Sequence, residues 1–138
     1  MCTLATDERK TLLRHSTFEL CFAGFLAFFG AVYEHYSFGV WSGYMVYAFA
    51  YPFAAGLFLL FMSMKGKRPG GMFLAMLHSA AVTFGVGSAA AGVVAIYGTE
   101  NRLLKVYPIA GGVLLLAAIA AYFAGKKIAD TSKMQQEK

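Results

Sequence analysis

Charge is scarce in this sequence. Only 14% of its 138 residues are Asp, Glu, Lys or Arg, against about 25% in soluble domains. A water-exposed catalytic domain is therefore excluded. The two cysteines, Cys2 and Cys21, are too few for a disulfide scaffold. Both also fall on the side read below as cytoplasmic, where thiols stay reduced. Cys2 lacks the preceding signal segment of a lipoprotein. Phosphate loops, Cys-x-x-Cys pairs, nucleophile elbows and His-Glu-x-x-His motifs are all missing, which removes the local signatures of nucleotide, thiol-redox, acyl-transfer and zinc-protease chemistry. The apolar runs never alternate with period two, so barrel strands are excluded as well.

What fills the chain is apolar residues, 59% of the total. They form four stretches, approximately 17–37, 41–64, 71–97 and 101–124. Each can cross a hydrocarbon core of ~30 Å, which takes about 20 residues of helix. Every backbone N–H and C=O must be satisfied internally in lipid, so the stretches must be helices. The first is too long for the apolar core of a cleavable signal peptide, and no small-x-small site follows it cleanly. The expected fold is an all-α, integral membrane four-helix bundle. Residues 1–16 would be an N-terminal segment and residues 125–138 a basic tail.

The net charge of +5 is a topology signal. Arg9, Lys10, Arg14, Lys65, Lys67, Arg68, Lys126, Lys127, Lys133 and Lys138 fall on one side of four spans. They are ten of the twelve basic residues; only Arg102 and Lys105 fall on the other. By the positive-inside rule both termini are expected in the cytoplasm. Anionic lipid headgroups are the natural partners of such residues, and this placement argues against nucleic acid.

Local patterns refine the reading. Ser16-Thr-Phe-Glu19 matches a capping box, placing the start of helix one near Thr17. Gly24, Ala27 and Ala31 form a small-residue seam expected to face the bundle, with most of the neighbouring phenylalanines facing lipid. Tyr44, Tyr47 and Tyr51 share a helix face, and Tyr51 is deep enough to need an internal partner. Pro52 should kink helix two and free the Ala48 carbonyl. The 65–71 segment is a turn. His78, Ala81, Gly85, Ser88 and Gly92 form the tightest packing face. Gly98 should end that helix. Helix four either bends at Pro108 or starts there.

An internal repeat is visible. Residues 51–60, Tyr-Pro-Phe-Ala-Ala-Gly-Leu-Phe-Leu-Leu, match residues 107–116, Tyr-Pro-Ile-Ala-Gly-Gly-Val-Leu-Leu-Leu, at six of ten positions. Duplicated hairpins would be parallel repeats about an axis along the membrane normal.

The richest polar set is Glu34, His35, Glu100, Asn101 and Arg102 at the outer ends of the helices. A carboxylate on a packing face needs a partner, and Arg102 can serve Glu34 or Glu100. The set is either a clasp between hairpins or a polar pocket walled by Tyr44, Tyr47 and Tyr51. One histidine and two carboxylates do not make a zinc motif, so no metal is expected. His78 is a buried polar residue, open to readings as a packing histidine, a proton relay or a haem ligand. A haem bridging His35 and His78 fails, because they differ by roughly 17 Å in depth; no cofactor is expected. His15 and Glu19 are four apart and can pair. His15, Glu19, Cys21 and His78 lie toward one side, but no spacing demands a site there.

The Tyr33–Pro52 stretch, Tyr-Glu-His-Tyr-Ser-Phe-Gly-Val-Trp-Ser-Gly-Tyr-Met-Val-Tyr-Ala-Phe-Ala-Tyr-Pro, and the Tyr97–Tyr107 stretch together resemble a group of small uncharacterised bacterial membrane proteins with four predicted spans. The resemblance runs from helix one to helix four. It implies a bacterial cytoplasmic membrane and brings no activity to transfer. Small multidrug-resistance transporters match in size but keep an acid deep in their first helix; Glu34 lies near the outer end, and no deeper acid is read here. The membrane enzymes of glutathione metabolism also match in size, but their second-helix Arg, Asn and Glu pattern is missing.

The expected function is non-enzymatic: binding or passing a small solute or ion at the outward tyrosine-lined site, in a homo-oligomer. The alternatives are an accessory or anchoring subunit of a larger membrane complex, and a redox or lipid-modifying enzyme using His78.

Overall fold

The computed structural model describes residues 2–37, 39, 42–66, 69–98 and 102–136. Among them every regular element is helical: α1 (Cys2–Tyr36), α2 (Gly43–Tyr47), α3 (Ala50–Met64), α4 (Gly71–Ile96), a 3₁₀ turn (Arg102–Lys105) and α5 (Val106–Gln136). Four segments are long and apolar enough to cross a membrane: Arg9–Tyr36, Gly43–Met64, Gly71–Ile96 and Arg102–Ile128. The shortest has 22 residues and so reaches about 33 Å. Phenylalanines 18, 25, 28, 53, 58, 61 and 123 are all exposed. In water such a surface would be an aggregation liability; in lipid it is the ordinary exterior of a bundle.

α4 is the centre. α1 packs on α3 and α4 on α5, making two hairpins, and α4 also touches α1, α2 and α3. One apolar cluster joins Leu12, Ala55, Leu59, Met62, Phe73, Leu74, Leu77, Ala81 and Ala118. A second joins Leu26, Met45, Ala48 and Ala89 toward the other end. α5 leans on α4 and contributes little else; only 11% of its most apolar window is buried, against 39% for the second span.

Two features of α1 differ from the sequence expectation. The helix runs unbroken from Cys2, so nothing caps it at Ser16. The Ser16 hydroxyl instead donates to the Gly56 carbonyl at 2.8 Å. The seam is also rotated: Gly24, Ala27 and Ala31 are exposed, while Leu12, Ser16, Glu19, Ala23, Leu26 and Gly30 are buried. Those buried residues recur at three- and four-residue steps, one face of a helix. Burying Ser16 and Glu19 against partners fixes the rotation of α1, because a polar group left in lipid costs more than a few small residues gain by packing.

The break between α2 and α3 has two causes. The Ser88 hydroxyl donates to the Tyr44 carbonyl at 2.7 Å, and the Ala48 N–H turns to Met45 O instead. Pro52, fully buried, has no N–H to return to Ala48 O. The Ala48 carbonyl faces α4, 3.5 Å from where a Gly85 Cβ would sit. Close approach also rules at Gly92, where a Cβ would stand 2.8 Å from the Met45 backbone nitrogen.

Pro108 is not a kink. It is the third residue of α5, in the first turn, where a missing N–H breaks no helical bond and the fixed φ suits the start. Gly98, with φ +68°, closes α4 as a left-handed cap. The two Tyr-Pro pairs occupy the same second and third positions of α3 and α5. Their packing differs: a Cβ on Gly56 would meet Leu20 at 2.9 Å, while the matching Gly112 has open space.

Candidate functional site

The closest polar contact between helices among the described residues joins Glu19 of α1 to His78 of α4. Glu19 Oε1 lies 2.6 Å from His78 Nδ1. The carboxylate is 1% exposed and the imidazole 35%. The distance is that of a charge-assisted hydrogen bond. Two glycines make it possible. Gly56 lets α1 close on α3, since a Cβ there would sit 3.2 Å from Glu19 Cβ. Gly85, two turns beyond His78, lets Leu26 of α1 press against α4 in the same way, 2.8 Å from a Cβ position. Ser16, one turn before Glu19, ties α1 to the α3 backbone. Phe18 packs edge-on against the His78 ring at 5.2 Å and 73°.

The pair is incomplete. Glu19 Oε2 is buried, and among the described residues no donor reaches it. A buried acceptor without a donor costs about 1–3 kcal/mol, more for a charged group. An acid in a membrane span is rare and faces a partner or a cavity. The arrangement can hold a proton, or a cation that gives the second oxygen a counter-charge.

The opposite end is looser. Glu34 is half-buried, and its backbone carbonyl accepts from the Ser37 N–H and hydroxyl at 3.2 and 2.7 Å. Arg102 is exposed, and no ion pair joins it to Glu34 among the described residues. Glu100 and Asn101 lie outside the described residues, as does Trp41. His35 is exposed and stands edge-on to Tyr36. Tyr44, Tyr47 and Tyr51 are 63, 62 and 44% exposed. Tyr44 and Tyr47 line the outside of the second span, while α4 covers Met45 and Ala48. Tyr51 finds its partner in a ring, stacking on Phe84 at 5.2 Å. The Tyr33 and Tyr97 hydroxyls pair across α1 and α4. Among the described residues no three His, Cys, Asp or Glu side chains gather as a metal site; Cys21 is exposed.

The sequence shows no acid at the depth expected of a first-span site, yet the structure buries Glu19 in that span. Ser-x-x-Glu before an apolar run is the capping signature, which places Glu19 at a helix start. Two signals pointed elsewhere. Glu19 is the only charged residue between Arg14 and Glu34, and His78 the only titratable one in α4. The depth argument that separates His78 from His35 brings it to the level of Glu19.

The helices and their apolar exterior define a multi-pass membrane protein. No protein-family model, characterised protein or solved structure matches the chain, so its activity rests on the site alone.

Proposed function

We propose that this protein binds a small cationic solute or ion inside a bacterial cytoplasmic membrane, at a site built on Glu19. The observation that carries the reading is the buried Glu19 oxygen, which has no donor among the described residues. A fully satisfied clasp would leave no oxygen free; a binding site does. Basic residues concentrated at the Glu19 end support cytoplasmic termini and an opening of the site toward the cytoplasm. The exposure of Tyr44, Tyr47 and Tyr51 favours this end over the tyrosine-lined one.

Calorimetric titration of the detergent-purified protein with sodium, methylammonium and tetraphenylphosphonium tests the reading. At least one should bind, and Glu19→Gln should weaken it about tenfold or more, the equivalent of 1.4 kcal/mol. Glu34→Gln should leave binding intact. Binding lost in Glu34→Gln and kept in Glu19→Gln would move the site to the other end, and no binding by any of these cations would defeat the proposal.

The bare flank of α5 favours a second reading, in which the protein is also a subunit of a homo-oligomer or larger complex. Native mass in mild detergent, with and without co-purifying chains, decides between them.

A further inference from the structure

We propose that Glu19 and His78 form one proton-exchange unit, in which His78 carries a proton between the membrane surface and the buried carboxylate. The inference deepens the cation-binding reading and rests on it for its physiological meaning: the proton would be what the site trades for its cation.

Three observations carry it. The imidazole bridges two environments, with its Nδ1 on a fully buried carboxylate while the side chain as a whole is one-third exposed. Glu19 has a second buried oxygen with no donor among the described residues, so no closed network there locks the carboxylate in its charged form. His78 also lies toward one end of its span. It is the eighth residue of α4, which puts it roughly 10 Å along the helix from Gly71, within the outer part of a core ~30 Å thick.

The chemistry balances with one proton and no other reactant. In the resting pair the neutral ring carries its proton on Nδ1 and donates it to Glu19 Oε1, leaving Nε2 as an acceptor. A proton arriving from the surface at Nε2 makes an imidazolium. Transfer of the Nδ1 proton to Oε1 then leaves a neutral carboxylic acid and a neutral ring protonated at Nε2. The reverse sequence returns the proton by the same route. Phe18, against the ring edge, holds the imidazole in the orientation that both transfers need.

Few other groups can interfere. His15, one turn before Glu19 on α1, is half-buried, and Cys21 is exposed. The only titratable side chain of α3 is Tyr51, at the far end, and α4 has none besides His78. Tyr122 of α5 packs on Phe73, on the neighbouring helix face.

The test needs no ligand. The protein, labelled with ¹⁵N-histidine, is placed in phosphatidylcholine nanodiscs and followed by NMR from about pH 5 to about pH 9. Its three histidines are assigned with His15→Gln and His35→Gln. The expected result is a His78 ring whose proton moves from Nδ1 to Nε2 as the pH falls, a change of position that Glu19→Gln abolishes. Infrared spectra of the wild type should show a protonated-carboxyl band that Glu19→Gln removes, a readout that survives if a histidine variant misfolds. A His78 that does not titrate, or that titrates identically in folded Glu19→Gln, overturns the proposal. Coupled titration without binding of sodium, methylammonium or tetraphenylphosphonium would uphold proton exchange and defeat the cation-binding function. Binding of one of them with an uncoupled His78 would do the opposite.

Discussion

The two ends of this bundle invert the usual relation between polar content and polar structure. The Glu34 end carries an acid, a histidine, an arginine and several tyrosines, yet its described side chains mostly face outward. The Glu19 end brings two ionisable residues of different spans to 2.6 Å. Depth separates the cases. A side chain at a rim reaches headgroups and water, whereas one between helices must find a partner or neutralise. Counting polar residues points to the Glu34 end; asking which ones lack access to water points to Glu19 and His78.

The largest test of this contrast removes one partner from each end. His78→Ala leaves Glu19 buried alone and should destabilise the protein by about 3 kcal/mol, the low end for a broken buried pair because the ring is partly exposed. Glu34→Ala should cost less than about 1 kcal/mol. Unfolding in mixed micelles with increasing dodecyl sulfate measures both, and equal losses would erase the distinction between the ends.

Backbone proximity sharpens the comparison. Gly92→Ala forces a methyl against the Met45 backbone and should cost about 1–3 kcal/mol. Gly24→Ala, on an open helix face, should be neutral or stabilise by up to about 1 kcal/mol. A third pair of variants, Ser16→Ala and Ser88→Ala, each removes one interhelical hydrogen bond and should cost about 0.6 kcal/mol in the same assay. Ser88→Ala also frees the Tyr44 carbonyl to accept from Ala48, so amide exchange at Ala48 should slow. The smallest effect belongs to Gly112→Ala, which meets nothing and should stay within about 0.5 kcal/mol. A large loss there would mean that α5 packs on something besides α4.

Hydropathy alone made the four spans legible, because the requirement for internal backbone bonding leaves helices as the answer. Much of the packing face of α4 was plain too: Ala81, Gly85 and Gly92 are buried where their spacing puts them, while His78 and Ser88 are half-buried. The face of α1 was not. Small residues predict close contact only if the helix is free to rotate toward them, and Ser16 and Glu19 fix its rotation first. Pro108 left a bend and a start both open, because proline suits a first turn as well as a kink; the helix begins two residues before it. The site escaped because its halves lie 59 residues apart, and Ser-x-x-Glu offered a local explanation for a residue whose partner is distant.

The position of α5 has a bearing on how the molecule is made. Synthesis runs from the amino terminus, so α1, α3 and α4 leave the ribosome before α5 exists. The Glu19–His78 bond, the Ser16 tie and the contacts under Gly56, Gly85 and Gly92 all belong to those earlier helices. The last span is thus recruited to a surface already assembled. A nascent chain arrested after the 3₁₀ turn should already shield its acid from the bilayer, and only the flank of α4 around Gly87 would await its cover.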